Sequence, residues 1–181
     1  MIWKLKIIIN SILLRIRLLP YCGWVRVFCD KQPILRLHRG SRLHIESGVR
    51  FWSSSRTNTI GVNHRVILAT HSSKSSIYIG KNSGMTGGSI NCWKSVRIGS
   101  NVKIGANTVI SDSDFHLDDY RSNPPQSVFI GDKVWLGYSC YINKGVTINE
   151  GSIVAAKSVV TKDVEKDVIY GGVPANLIKK I

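Results

Sequence analysis

Nine residues, Ser111 to Asp119, read SDSDFHLDD and gather His116 with Asp112, Asp114, Asp118 and Asp119. An imidazole that titrates near neutrality is the usual instrument for taking a proton from a hydroxyl whose own pKa is far higher. Asp114, two residues before the histidine, is placed to orient the ring and stabilise the imidazolium. The other aspartates read as solvated loop acids. Pro124 and Pro125 follow, and neither can donate to a β ladder, so the segment reads as a loop. Other chemistries find less support. Cys22, Cys29, Cys92 and Cys140 form no CxxC pair and read as reduced, partly buried thiols. The histidines His38, His44, His64, His71 and His116 lack zinc-site spacing, so no metal is expected. Neither a P-loop nor a Rossmann fingerprint occurs, which leaves nucleotide hydrolysis and dinucleotide redox chemistry without a basis.

A loop that does chemistry needs a rigid carrier. From Ile130 to Val160 an aliphatic residue returns every sixth position, at Ile130, Leu136, Ile142, Ile148, Val154 and Val160. Neither a helix nor a flat sheet has a period of six; a parallel β-solenoid does, with one aliphatic residue inward and a tight corner beside it in each repeat. The register recurs at Ile98, Ile104 and Ile110, and Ile60-Gly61, Ile79-Gly80 and Ile98-Gly99 repeat at intervals of nineteen, three sixes and a corner residue. Between Ile110 and Ile130 the interval is twenty and the pattern lapses, so residues 111–129 are expected to leave the coil as an excursion. Upstream, the alternation from Ile34 to Phe51, with corners at Gly40 and Gly48, marks where the coil begins. The division expected is a basic helix and linker over 1–33, the solenoid over 34–173, and a short capping helix over 174–181 that Pro174 opens and Lys179 and Lys180 close.

At 181 residues and 43% hydrophobic, the chain is one domain able to bury a core. Its formal charge of +14 lies entirely in residues 1–100, where sixteen Lys and Arg face only Asp30 and Glu46. Such a face attracts an anionic partner: a membrane surface, a phosphorylated lipid carrier, an acidic glycan or nucleic acid. Met1 to Leu19 reads as one helix, with Ile2, Leu5, Ile9, Ile12, Ile16 and Leu19 as its apolar stripe and Lys4, Lys6, Arg15 and Arg17 as flanks. Its uncharged run, Ile7 to Leu14, is too short to span a bilayer, and no cleavage site for a signal peptide follows. Two readings stand, a helix lying in the membrane interface and a cap on the solenoid or a subunit contact, with the first favoured by the charge.

The six-residue repeat, VWLG at Val134 to Gly137, GVTI at Gly145 to Ile148, AAKSVVTKD at Ala155 to Asp163 and GGVPA at Gly171 to Ala175 together resemble the hexapeptide-repeat acyltransferases, most of all the bacterial sugar and polysaccharide O-acetyltransferases. The resemblance is continuous from Ile77 to Ile181, extends back toward Leu43 and does not cover the first forty residues. It implies a left-handed parallel β-helix, acetyl-CoA as donor, a glycan or other sugar as acceptor, and a homotrimer with sites between subunits; the reduced cysteines, the basic first half and the apolar helix point to a cytoplasmic enzyme at the inner face of the plasma membrane. Nucleic acid is not expected as a partner. Residue by residue, it implies His116 as catalytic base with Asp114 beside it, the backbone N–H of Tyr138 as oxyanion donor, Trp135 as a wall of the acyl pocket, and Ala156, Thr161, Lys162, Asn176 and Lys179 as donor contacts. Asn176 departs from the basic residue usual at its position. Asn82, Ser83, Met85 and Trp93 fall in the region that faces the acceptor. Direct transfer is preferred to a covalent intermediate, Cys140 being the remaining candidate nucleophile. A small acceptor such as serine or an amino sugar, and a non-catalytic scaffold or glycan-binding module, stand as alternatives.

Overall fold

A computed structural model describes residues 2–181; Met1 and the side chain of Ile2, both counted in the expected helix, lie outside the described residues. The chain winds into a three-sided solenoid of parallel strands. The first face stacks Phe28–Cys29, Arg50–Trp52, Gly84–Thr86, Lys103–Ile104, Trp135–Leu136, Ile153–Val154 and Val168–Gly172 in that order. A second face runs from Ile34–Arg36 through Ile67–Thr70, Ser89–Cys92, Val109–Ser111 and Tyr141–Ile142 to Val159–Val160. The third runs from Arg42–Ile45 through Ser76–Ile79, Ser95–Ile98 and Val128–Ile130 to Thr147–Ile148.

The six-residue period has a direct physical cause. Each repeat is one strand and one corner, and three of them bring the chain back above itself: Ile130 pairs with Ile148, Leu136 with Val154 and Ile142 with Val160. The aliphatic residues point inward and form one continuous column, in which Ile98, Ile130, Leu136 and Ile142 are fully buried. Each such side chain contributes about 1.5–3 kcal/mol relative to exposure. The glycine that follows is set by the stacking of corners: a Cβ on Gly105 would lie 2.5 Å from the carbonyl carbon of Gly137 in the next coil.

Both ends of the column are closed. Helix α1, Ile2–Cys22, lies across the first coil, buries Leu14 and Leu18, and supplies partners to exposed backbone there. Ser11 Oγ accepts from the N–H of Cys29 at 3.0 Å, Cys22 Sγ from that of Ile45 at 3.2 Å, and Arg15 donates to the carbonyl of Val27. The helix continues past Pro20 and ends at Gly23, whose φ of 65° suits a glycine C-cap. The helix caps the coil, but not through the apolar stripe, as one of the two sequence readings expects: Leu5, Ile9, Ile12, Ile16 and Leu19 are exposed, with Ile8 and Leu13. At the other end the expected capping helix is replaced by a strand. Ala175–Lys180 turns back antiparallel on Val168–Gly172, because hairpin pairing there satisfies the last free edge of the first face. The coil also starts earlier than residue 34, with Phe28–Cys29 forming its first rung.

Two segments leave the coil. The expected one spans the gap between Val109–Ser111 and Val128–Ile130, at the edge joining second and third faces. The other, between Arg50–Trp52 and Ile67–Thr70, lies at the edge joining first and second faces. It contains Ile60-Gly61, which is therefore not a coil repeat: Ile60 is 55% exposed in a turn, and Ile79 pairs with Ile45 instead.

Candidate active site

Where the chain departs at Ser111, the corner beneath loses the coil that would have accepted its N–H groups. Asp112 replaces it. Its fully buried carboxylate accepts from the backbone of Trp93 at 2.7 Å, Lys94 at 2.7 Å and Ser95 at 2.8 Å. At the far end of the loop, Gln126 N–H donates to the Asp112 carbonyl at 2.9 Å, and Gly145 N–H donates to Gln126 at 3.0 Å. Phe115, at φ 70°, packs edge-on against Trp93 with ring centroids 4.8 Å apart, and His71 stacks on Trp93 at 3.7 Å and 11°. Burial in this stack lowers the His71 pKa, against the opposing pull of Asn91 and Asp112. The loop is thus fastened at its neck and on its inner side.

His116 stands on the outer side of this anchored loop, exposed, and its ring makes no hydrogen bond among the described residues. Asp114 does not orient it: its carboxylate is paired with Lys144, which also donates to the carbonyl of Asn123 at 3.0 Å. Asp119 is occupied by Arg121, which binds it through both oxygens and lowers its pKa to about 2. The expected orienting role fails because a cation from the next coil is closer to Asp114 than the imidazole is to any carboxylate.

Tyr138 lies on a different edge, the one between first and second faces. The backbone N–H groups of Ala106, Tyr138 and Ala156 stack there at successive corners, and none finds a partner among the described residues. A row of unpaired donors suits both an oxyanion and the amides of an extended ligand. Trp135 is half exposed on the first face beside it, with Lys103 Nζ 5.8 Å from the ring centroid. Cys140, just below, is buried with its thiol directed to the carbonyls of Gly137 and Ala155, and burial raises its pKa, so it is a packed side chain and no nucleophile.

The repeat itself matches two family models: the bacterial transferase hexapeptide (six repeats) over residues 127–162 and the hexapeptide repeat of succinyl-transferase over residues 78–112. Those two stretches of the chain carry hexapeptide repeats. Galactoside O-acetyltransferase of Escherichia coli (strain K12) is 39% identical over 90 residues, 48% of this chain and 44% of that enzyme. This chain therefore spans less than half of that relative's length. Among solved structures, a galactoside acetyltransferase in complex with coenzyme A superimposes with a TM-score of 0.57 at 32% identity, over 67% of this chain and 62% of that one. The polySia-specific acetyltransferase NeuO superimposes with a TM-score of 0.68 at 21% identity, over 85% of this chain and 68% of that one. The likeness fixes the fold as a left-handed parallel β-helix.

Within one hexapeptide-repeat chain the expected site residues divide between edges. Trp93, Asp114, His116, Thr161 and Lys162 line the second–third edge; Tyr138 and Ala156 line the first–second edge, with Trp135, Asn176 and Lys179 on the adjoining first face. Asn82, at φ 59°, occupies a corner at the third–first edge. Met85 contacts no acceptor: it points into the column and is 2% exposed, since the strand alternation turns Gly84 and Thr86 outward instead. Ser83 is likewise buried, bonded to the carbonyl of Gly99 at 2.7 Å. Trp93 has one face already covered by His71. Sequence reasoning missed His71, Phe115 and the second excursion, where Asn107 donates to Gly61 at 2.6 Å and to the Tyr138 hydroxyl at 3.2 Å and accepts from Asn63 at 2.9 Å. The polar run SSSRTNT before Ile60 was the available signal. Among the described residues, no three His, Cys, Asp or Glu side chains cluster as a metal site.

Proposed function

We propose that the protein is an acetyl-CoA-dependent O-acetyltransferase acting on a sugar hydroxyl in cell-surface polysaccharide assembly. The observation that carries this reading is the pairing of a free imidazole, His116 on an anchored loop, with a free N–H at Tyr138. His116 takes the proton of the acceptor hydroxyl as its oxygen attacks the thioester carbonyl. The oxygen of the tetrahedral intermediate is held by the Tyr138 N–H. Collapse breaks the carbon–sulfur bond, the imidazolium returns its proton to the leaving thiolate, and an acetyl ester and CoA result. The donor runs along the unpaired N–H groups toward Ala156, Lys179 and the C-terminal coils.

His116 and Tyr138 are separated by the width of the second face within one chain. We therefore assign the working unit to a homotrimer in which the second–third edge of one subunit meets the first–second edge of the next. Isothermal calorimetry with acetyl-CoA tests the reading: one site per subunit is expected for the wild type and for His116→Ala, with turnover lost only in the variant. Absence of binding by acetyl-CoA and CoA to a folded oligomer would overturn it.

The exposed face of α1 supports work at the cytoplasmic surface of a membrane. Leu5, Ile9, Ile12, Leu13 and Ile16 form a continuous apolar stripe, with Lys6 and Arg17 along one side and Lys4 and Arg15 along the other. Among the described residues, no helix is long and apolar enough to cross a membrane. An anionic bilayer matches both the stripe and its cationic borders. Co-sedimentation with phosphatidylserine vesicles, expected to exceed that with phosphatidylcholine and to vanish on replacement of Ile9 and Leu13 by Ser, tests this part.

A further inference from the structure

The glycines of the coil are explained by what a side chain would meet, with one exception. At Gly80, Gly99, Gly105, Gly131 and Gly137 a Cβ would come within 3.0 Å of backbone atoms in the adjacent coil. At Gly40, Gly48, Gly87, Gly88, Gly145 and Gly151, among others, φ is positive. Gly84 has neither reason. Its φ is outside the left-handed region, and the nearest atom to an added Cβ is the carbonyl oxygen of Arg50 at 3.6 Å, an ordinary contact. It sits at an outward position within a strand, where glycine is a poor choice and a β-branched residue a good one. A strand glycine that the fold does not require marks the close approach of something else.

The neighbours of Gly84 say what that is. Strand register places Arg50, Gly84, Lys103 and Trp135 side by side on the outer surface of the first face, with Trp52 beside Thr86 in the next row. At about 4.8 Å between strands, the Cα atoms of Arg50 and Lys103 stand roughly 10 Å apart across the gap that Gly84 leaves. Neither forms a salt bridge among the described residues. The gap is the floor of an open groove of about 490 Å³ in which no carboxylate takes part. The groove extends from Asn82 to Gly105, and Gly105 stacks on Gly137, the residue before Tyr138.

We propose that this groove is the acceptor subsite and that the acceptor is an anionic saccharide. Its carboxylate or phosphate lies over Gly84 between Arg50 and Lys103, while Trp52 and Trp135 offer apolar faces to the sugar rings. A saccharide seated there directs its end toward the Tyr138 corner from the N-terminal side, opposite to the coils that take the donor. The assignment rests on the acyltransferase reading for its role in turnover, but binding alone tests it.

The experiment is calorimetric titration of the full chain, with and without saturating CoA, using trigalacturonate, its neutral methyl ester, and galactose 1-phosphate. Trigalacturonate or galactose 1-phosphate is expected to bind at least about tenfold more tightly than the ester, about what the loss of one charge-assisted contact removes. Whichever of the two binds identifies the anion as carboxylate or phosphate. Arg50→Gln and Lys103→Gln should each weaken that binding several-fold. Gly84→Val should abolish it while the melting temperature, CoA affinity and oligomer size stay as in the wild type, since a Cβ added there meets no atom closer than ordinary contact and a β-branched residue suits an outward strand position. Equal binding of the ester, no binding of either anion, or undiminished binding by Gly84→Val would overturn the proposal. So would displacement of the saccharide by CoA, which would give the groove to the donor, or a changed oligomer in Gly84→Val, which would give it to a subunit contact. Saccharide binding with no CoA binding would leave the groove standing and remove the acyltransferase reading.

Discussion

Asp112→Asn keeps the shape of a side chain and removes its charge and one of its acceptors. In the folded protein one carboxylate oxygen accepts from Trp93 and the other from both Lys94 and Ser95. An asparagine that keeps the Trp93 bond must turn its NH2 group toward two N–H groups. Two hydrogen bonds to a charged acceptor are lost, each worth about 1.5–3 kcal/mol, so the upper range is about 3–6 kcal/mol. Relaxation of the loop neck and entry of water recover part, and about 2–4 kcal/mol is expected in urea denaturation followed by circular dichroism. The same change releases the loop that carries His116, so kcat should fall about 10- to 100-fold through misplacement of the base. Acetyl-CoA affinity should be unchanged, because Tyr138 and Ala156 lie on another edge and Asp112 bonds to neither Thr161 nor Lys162. An unchanged urea midpoint would refute the reasoning about the corner; a lowered midpoint with undiminished kcat would refute the claim that this carboxylate positions His116.

His116→Ala should lower kcat by about 10²- to 10⁴-fold while leaving the urea midpoint in place, since the ring touches nothing that the fold depends on. Leu14→Ala, at a fully buried position on the inner side of α1, should cost about 2–5 kcal/mol of stability. Ile9→Ser, on the exposed side of the same helix, should stay within about 0.5 kcal/mol of wild type in the same assay. Because burial lowers the His71 pKa, the unfolded chain takes up that proton first as pH falls. Its contribution is therefore complete above about 6.5 and is lost as pH drops through the lower folded value, a decline that His71→Phe should remove in urea midpoints compared between pH 7.5 and pH 5.

The coil was legible because its period is enforced by geometry: only an aliphatic residue fits the column and only glycine fits many of the corners, so Ile130 to Val160 reads as structure without ambiguity. Ile60-Gly61 misled because the same dipeptide is compatible with a surface turn, and periodicity over a few residues does not tell them apart. The C-terminal segment was misread for a related reason. ANLIKK has no strong period, and what makes it a strand is the unpaired edge of Val168–Gly172, a partner that is not visible in local sequence. For α1 the stripe was located correctly, but its sequence did not show that a second face, Ser11, Leu14 and Leu18, meets the coil, because a capping helix buries whichever face the coil presents itself to. On the excursion, the loop position of His116 was legible from its polar, proline-closed context. The pairing of Asp114 with Lys144 was not, because Lys144 lies thirty positions away in sequence and one coil away in space.

The neck of the His116 loop, where Gln126 bonds to Asp112, brings the chain back to within one hydrogen bond of where it left. The coil does not register how much chain lies between: Ile98 meets Ile130 across the excursion in the same register in which Ile130 meets Ile148 without one. For a loop closed in this way, doubling its length costs only about 0.6 kcal/mol. The segment that carries His116 is thus an exchangeable cassette, free to be lengthened, shortened or rewritten between fixed terminals, while the rod that carries it keeps its pitch.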